Sequence, residues 1–372
     1  MLREIVARGT PAQRDWAVRT YRTSEQFRGQ RQAFVGAPEL AAPIAAAGAG
    51  KERIVYDAQF GSTLPGRRAR GEGDPPTGDK AVDEAYDGSG ATYDIYQTVY
   101  GRNSIDGNNL RLDSTVHYQK GYDNAFWNGQ QMVYGDGDED QPEPERLFNR
   151  FTIAIDIIGH ELTHGVTQYE AKLVYRNQPG ALNESFSDVF GSLVKQRTLN
   201  QTADQADWII GQGLFTANVK GVGIRSMKAP GTAYDDPVLG KDPQPAHMRD
   251  YNNTTADNGG VHINSGIPNY AFYVAAKELG GAAWEKAGRV WYIALRDKLQ
   301  ALSQFQDAAT LMFQVAGDLY GSGSLEQQAV RKGWAEVGLN VEAPGPQPQP
   351  QPQPPPPGCR TALMGLFRPT AR

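Results

Sequence analysis

Three regimes of apolar spacing divide the chain. From Ile54 to about residue 150, apolar residues cluster in short runs cut by glycine, as in IVYDAQ and AFWNGQQMVYGDGD, which predicts strands and turns. One helix, roughly 79–100, interrupts that stretch, with Val82, Tyr86, Tyr93, Tyr96 and Tyr100 at helical spacing. From about 152 onward the spacing predicts helices over 152–168, 181–197, 266–279, 282–299, 305–320 and 324–337. The expected fold class is therefore α+β in two domains, a β-rich one over 54–160 and a mainly helical one over 161–341. The helix near 152–168 stands where they meet. No internal repeat is visible.

The ends follow other rules. Residues 1–34 read as a small helical segment, because Thr10-Pro11-Ala12-Gln13 is a capping-box pattern with proline at the first helical position. The stretch GAPELAAPIAAAGAGKER (36–53) is rich in Ala, Gly and Pro and reads as a linker, so 1–50 form a helical segment plus linker. From Gly345 the chain runs GPQPQPQPQPPPPG, an extended polyproline II spacer that cannot join a core. A disordered tail is expected over 344–372, read as a solvated spacer in preference to a docking motif.

Composition narrows the chemistry. A net charge of -5 over 372 residues argues against nucleic-acid binding, which needs a basic face. No apolar run approaches a membrane span, and MLREIVARGTPAQRDW lacks the apolar core of a signal peptide. The single cysteine, Cys359, lies in the tail, which excludes disulfides and CxxC sites from the fold. Any metal site must use histidines and carboxylates.

GHELTHG (159–165) supplies the first of these. On a helix His160 and His164 lie about 40° apart around the axis and Glu161 about 100° from His160. Two rings can then hold one metal while the glutamate reaches a water beside it. Ile155, Ile157, Ile158, Leu162 and Val166 surround the motif, so the helix is mostly buried and uncompensated imidazoles there would be costly. A catalytic zinc takes three protein ligands and leaves a fourth position open. Twenty residues past His164, GALNESFSDVFGSL carries Glu184 and Asp188 one turn apart among large apolar residues. Glu184 is the expected third ligand, with Asp188 and Asn183 holding the imidazole N–H groups.

These segments, GHELTHGVTQYEAKLVY and GALNESFSD, resemble the thermolysin family of zinc metallopeptidases, and the short basic N-terminal segment resembles its protealysin-like branch. The likeness runs from about Ile54 to Gly338. It implies a two-domain fold with the zinc site in the cleft between them, and a neutral endopeptidase with Glu161 as base. Tyr175 and His262 would be donors to the developing oxyanion, with Asp257 orienting His262. Asn124 and Ala125 would hold the substrate backbone, and Arg225 a substrate carbonyl. Phe148, Phe151, Ile157, Ile210, Leu214 and Ile224 would line the pocket for the side chain after the cleaved bond, favouring bulky hydrophobic residues.

The resemblance also sets expectations on metals and maturation. One zinc ion is implied. At positions matching the family's double-calcium site the chain has Asp156 and Asp207 but also Lys195, Ile209 and Gln212, too few oxygen donors for two calcium ions, so that double site is expected to be absent while calcium elsewhere stays possible. The run Asp136-Gly-Asp138-Glu-Asp140 reads as a turn. Residues 1–50 would be a propeptide that covers the cleft as an intramolecular inhibitor, cut somewhere between about 36 and 53. MLREIVARG starts without the proline-containing stretch that often precedes this helix in similar proteins. The expected partners are protein or peptide substrates, with no nucleic acid and no membrane. The expected state is a monomer, secreted without a visible classical signal, with cytoplasmic residence as the alternative. Two other readings remain open at this point, an aminopeptidase and a non-catalytic zinc protein that binds partners.

Overall fold

The computed structural model describes residues 1–36 and 50–341. Most of the expected linker, and the tail with Cys359, lie outside the described residues.

Two helices open the chain, α1 (Leu2–Arg8) and α2 (Pro11–Gly36). The expected capping box is formed: the Gln13 N–H donates to Thr10 Oγ1 at 3.3 Å and the Thr10 N–H to Gln13 Oε1 at 2.9 Å. The sequence reading took this segment as one helical unit. Pro11, which lacks an N–H, and Gly9 break it into two.

The β-rich part is one five-stranded sheet, built from β1 (Arg53–Asp57), β2 (Arg67–Gly71), β3 (Leu112–Val116), β4 (Ala125–Trp127) and β5 (Met132–Tyr134). Its order is β2-β1-β3-β5-β4, with β1/β3 and β3/β5 parallel and the other pairs antiparallel. This leaves β4 at the edge, where its outer backbone groups can meet an extended chain. The interrupting helix α3 (Lys80–Tyr100) starts on the Asp79 side chain, which accepts from Ala81 N at 3.0 Å, and stops at left-handed Gly101. The 136–141 stretch is a turn.

Helices α4 (Ile155–Tyr169) and α5 (Asn177–Thr198) cross at the centre. Their approach depends on glycine. A Cβ on Gly159 would lie 3.0 Å from Gly191 Cα, and one on Gly191 would strike the Asp156 carbonyl. Helix α5 begins four residues before the expected 181.

Beyond α5 lie four two-residue strands in two pairs: β6 (Ile209–Ile210) pairs β7 (Arg225–Ser226), and β8 (Asp235–Asp236) pairs β9 (Gly240–Lys241). Then come α6 (Asp257–Asn264), α7 (Gly266–Leu279), α8 (Ala287–Asp297), α9 (Phe305–Tyr320) and α10 (Leu325–Glu336). The last four match predicted helices, with α8 starting later than 282. Helix α6 was not predicted, because DNGG reads as a turn. Asn258, Gly259 and Gly260 are indeed left-handed, yet Gly259 N and Gly260 N both donate to Ala256 O, at 3.0 and 2.9 Å, and lead into a helical turn. The aromatic rings of Tyr96, Tyr100, Phe190 and Tyr292 join α3, α5 and α8, so one apolar core runs from the sheet into the helices.

Candidate active site

Helix α4 presents His160 and His164 from successive turns, 4% and 3% exposed. Helix α5 faces them with Glu184. The Nε2 atoms of His160 and His164 lie 3.5 and 3.4 Å from the two Glu184 carboxylate oxygens. On the far side of each ring an acceptor fixes the tautomer. His160 Nδ1 is 2.8 Å from Asp188 Oδ1, and His164 Nδ1 is 2.7 Å from Asn183 Oδ1. An amide or carboxylate oxygen can only accept, so Nδ1 carries a proton, and Nε2, which faces Glu184, is the nitrogen whose lone pair a metal ion would take in place of a proton. Two imidazole lone pairs and a carboxylate converging on one point suit a zinc ion.

Glu161 is on the same side. Ligand atoms of His160, Glu161 and His164 lie within 4.8 Å of one another. The edge strand holds Glu161, because Trp127 N–H donates to its Oε2 at 3.1 Å. Glu184, which faces both Nε2 atoms directly, fits the third ligand position better than Glu161, which is tied to β4.

The second face of the site comes from the α4–α5 connection and from α6. Tyr175 OH donates to Glu184 Oε1 and lies 3.1 Å from His262 Nε2. His262 Nδ1 is 2.6 Å from Asp257 Oδ1, and its backbone N–H donates to Asp257 Oδ2 at 2.9 Å. The left-handed residues after Asp257 turn the chain back so that this carboxylate meets His262 twice.

Charge is distributed in a consistent way. Burial pushes the Glu184 carboxyl up, but His262, His164 and His160 together hold it well below the usual range. Burial likewise opposes ionisation of Asp188, and Arg225 and His160 outweigh it, bringing the carboxyl to about 2. For His160, burial favours the neutral ring, while Asp188 and Glu184 raise it to about 9. Both carboxyls thus favour the charged form, a setting that welcomes a cation.

Arg225 sits differently from a freely held substrate arginine. Its Nε and Nη2 donate to Asp188 at 2.7 and 2.6 Å. Asn269 adds a third donor to the same carboxylate at 2.8 Å. The expected apolar pocket residues Phe148, Phe151, Ile157, Leu214 and Ile224 line a cleft of about 610 Å³ together with the metal-site residues. Ile210, fully buried and paired by β6 with Arg225, is not among the residues that line that cleft.

The N-terminal helices reach into this same cleft. Asn124 Nδ2 donates to Ser24 Oγ at 2.9 Å, and Phe27 stacks on Phe126 with ring centroids 4.0 Å apart. Asp123 N–H donates to Thr20 Oγ1 at 3.2 Å, and Leu2 and Glu4 also line the cleft. Sequence reasoning missed Ser24 and Phe27, and also Ser187, 3.0 Å from His164 Nδ1, and Asn269. Only Ser187, three residues past Glu184 on a helix already singled out, left a signal in the sequence.

A family model described as "Thermolysin metallopeptidase, catalytic domain" matches residues 22–168, and one described as "Thermolysin metallopeptidase, alpha-helical domain" matches 171–339. The chain belongs to the thermolysin family. It is similar to an extracellular metalloprotease of Pectobacterium carotovorum subsp. carotovorum, 49% identical over 342 residues, 92% of this chain and 95% of the relative. A thermolysin of Alicyclobacillus acidocaldarius is 40% identical over 77% of this chain, which spans half of that relative's length. A solved structure titled as the precursor of protealysin, from Serratia proteamaculans, is 51% identical, with TM-score 0.81, over 91% of this chain and 97% of that one. This thermolysin-family member is a zinc metalloendopeptidase acting on peptide substrates. No helix among its described residues is long and apolar enough to cross a membrane.

Proposed function

We propose that His160, His164 and Glu184 are the zinc ligands and that Glu161 is the general base of peptide hydrolysis. The observation that carries this is the convergence of two Nε2 atoms and the Glu184 carboxylate, with both Nδ1 atoms tied to fixed acceptors. Zinc, when bound there, supplies Lewis acidity toward a carbonyl and a water. Glu161, held by the Trp127 N–H, takes the proton of the attacking water and passes it to the leaving amine. Tyr175 OH and, with a proton on both ring nitrogens, His262 Nε2 lie 3.1 Å apart on one wall and donate to the oxyanion as it forms. Asp257 keeps the His262 Nδ1 side occupied so that Nε2 faces the reaction.

Substrate enters along β4, where Asn124 and Ala125 grip its backbone, and a bulky hydrophobic side chain fills the pocket of Phe148, Phe151, Ile157, Leu214 and Ile224. Arg225, fixed by Asp188, presents its cation at the cleft wall. The contacts of Ser24 and Phe27 with this same strand support a prosegment that keeps substrate out until it is removed. Lys195 supports the absence of a calcium pair. Its ammonium lies 2.9 Å from Asp207, 3.4 Å from Asp156 and 3.1 Å from the Ile209 carbonyl, where a second cation would be repelled. The protein acts as a secreted monomer.

Metal content separates the roles. Wild type and Glu161→Ala should each hold one zinc, and only wild type should cleave. Glu184→Gln should lose the metal as well. If Glu161→Ala lost zinc while Glu184→Gln kept it, the two assignments would be reversed.

A further inference from the structure

Two acidic side chains meet under the prosegment, and neither belongs to the metal-site cluster. Asp123 is 8% exposed and Asp138 1%. Asp138 Oδ2 accepts from the backbone N–H groups of Leu147, at 2.8 Å, and Phe148, at 3.0 Å, so it behaves as the carboxylate of the two. The Asp123 carboxyl lies within hydrogen-bonding reach of Asp138, and its Oδ1 is buried without a hydrogen-bond partner. The charged groups acting on Asp123 are Asp138 and Asp140, both acidic. From the prosegment it faces Thr20, which is neutral and bonded to its backbone.

Two ionised carboxyls offer only acceptors, so a bond between them needs a proton. Asp138 already takes two N–H donors on one oxygen, whereas an ionised Asp123 would leave a buried charge with an unpaired oxygen, at high cost. Neither belongs to a group of three metal-ligating side chains among the described residues. We infer that Asp123 is kept as a neutral carboxylic acid whose O–H donates to Asp138, and that this proton ties the loop carrying Asn124 to the Leu147–Phe148 segment of the pocket wall. Burial first, then the Asp138 charge, push the Asp123 carboxyl well above the usual range, in agreement. Asp123 is thus a positioning residue, acting through its neighbour Asn124 on one side and Phe148 on the other.

The test is thermal unfolding of the full chain against pH, for wild type and Asp123→Asn. A carboxyl with a raised folded pKa makes the folded state bind more protons than the unfolded state. Wild-type stability then falls as pH rises above the unfolded Asp range, until the folded pKa is passed. The Asn amide donates to Asp138 without titrating. Its melting temperature relative to wild type should therefore climb by several degrees between pH about 5 and about 8. The infrared carboxylic C=O band of wild type at neutral pH should be absent from Asp123→Asn. Parallel melting curves, or an unchanged band, would overturn the inference. Neither readout depends on catalysis. In matured enzyme, Asp123→Leu should raise KM for a peptide several-fold with kcat kept, and Asp123→Asn should leave KM unchanged. Equal KM in all three would remove the positioning role.

Discussion

Asp188 holds His160 and Arg225 at once: its Oδ1 lies 2.8 Å from His160 Nδ1, and the Arg225 fork closes on both oxygens at 2.6 and 2.7 Å. One carboxylate, fully buried, therefore orients His160, a proposed zinc ligand, and anchors the Arg225 cation at the cleft. Replacing Asp188 by Asn removes the charge from both. Loss of such a partner typically weakens metal binding by about 10–100-fold. Zinc affinity measured by competition with a chelator checks this. An unchanged affinity would mean that Asp188 serves Arg225 alone.

Much of this was legible in the sequence, and the limits have physical causes. His160, Glu161, His164, Glu184, Asp188 and Asn183 stand on two helices whose spacing fixes which residues share a face, and the structure brings them together. Helix periodicity carries no information on which loop reaches the cleft. The pairing of Tyr175 with His262 depends on three left-handed residues and was reached only through family likeness. Ile210 shows the same limit from the other side. An apolar residue beside a pocket and one behind it look alike in sequence, and the register of β6 with β7 decides. The contact of Ser24 with Asn124 spans 100 residues and left no local signal.

Latency should depend on Phe27. Removing its ring loses the stack on Phe126 and the surrounding apolar contact, about 2 kcal/mol, or roughly thirtyfold in the open fraction. Phe27→Ala should therefore show hydrolysis of a small peptide before any prosegment is cut. Latency as tight as wild type would place the closure elsewhere, on α1.

Lys195 should stabilise the fold without calcium. Lys195→Met leaves Asp156, 1% exposed, without its cation, and breaking a buried pair in this way costs about 3–5 kcal/mol. The variant should melt well below wild type in differential scanning calorimetry. A variant that melts with wild type would contradict the account.

Alkaline pH should weaken the junction of β3 with α3. His117 lies 2.7 Å from Asp136 and 3.0 Å from Asp79, and these carboxylates outweigh burial and raise it to about 9. A raised histidine pKa contributes stability that is complete below the unfolded value, near 6.5, and is lost as pH rises through about 9. His117→Gln should melt lower than wild type at neutral pH, with the gap closing on the alkaline side. A gap independent of pH would assign His117 a packing role only.

Cleavage should favour a bulky apolar residue after the scissile bond, because the side chains of Phe148, Phe151, Ile157, Leu214 and Ile224 form an apolar wall. In a peptide library Leu and Phe should dominate that position. Equal cutting before Asp or Lys would refute the pocket.

The most direct measurement is hydrolysis of a peptide blocked at both ends with leucine after the scissile bond, by matured wild type, Glu161→Ala and chelator-treated protein. The account predicts cleavage by wild type, a fall of at least about 100-fold in Glu161→Ala, and loss on chelation that zinc restores. Cleavage that survives in Glu161→Ala at the wild-type rate would contradict it.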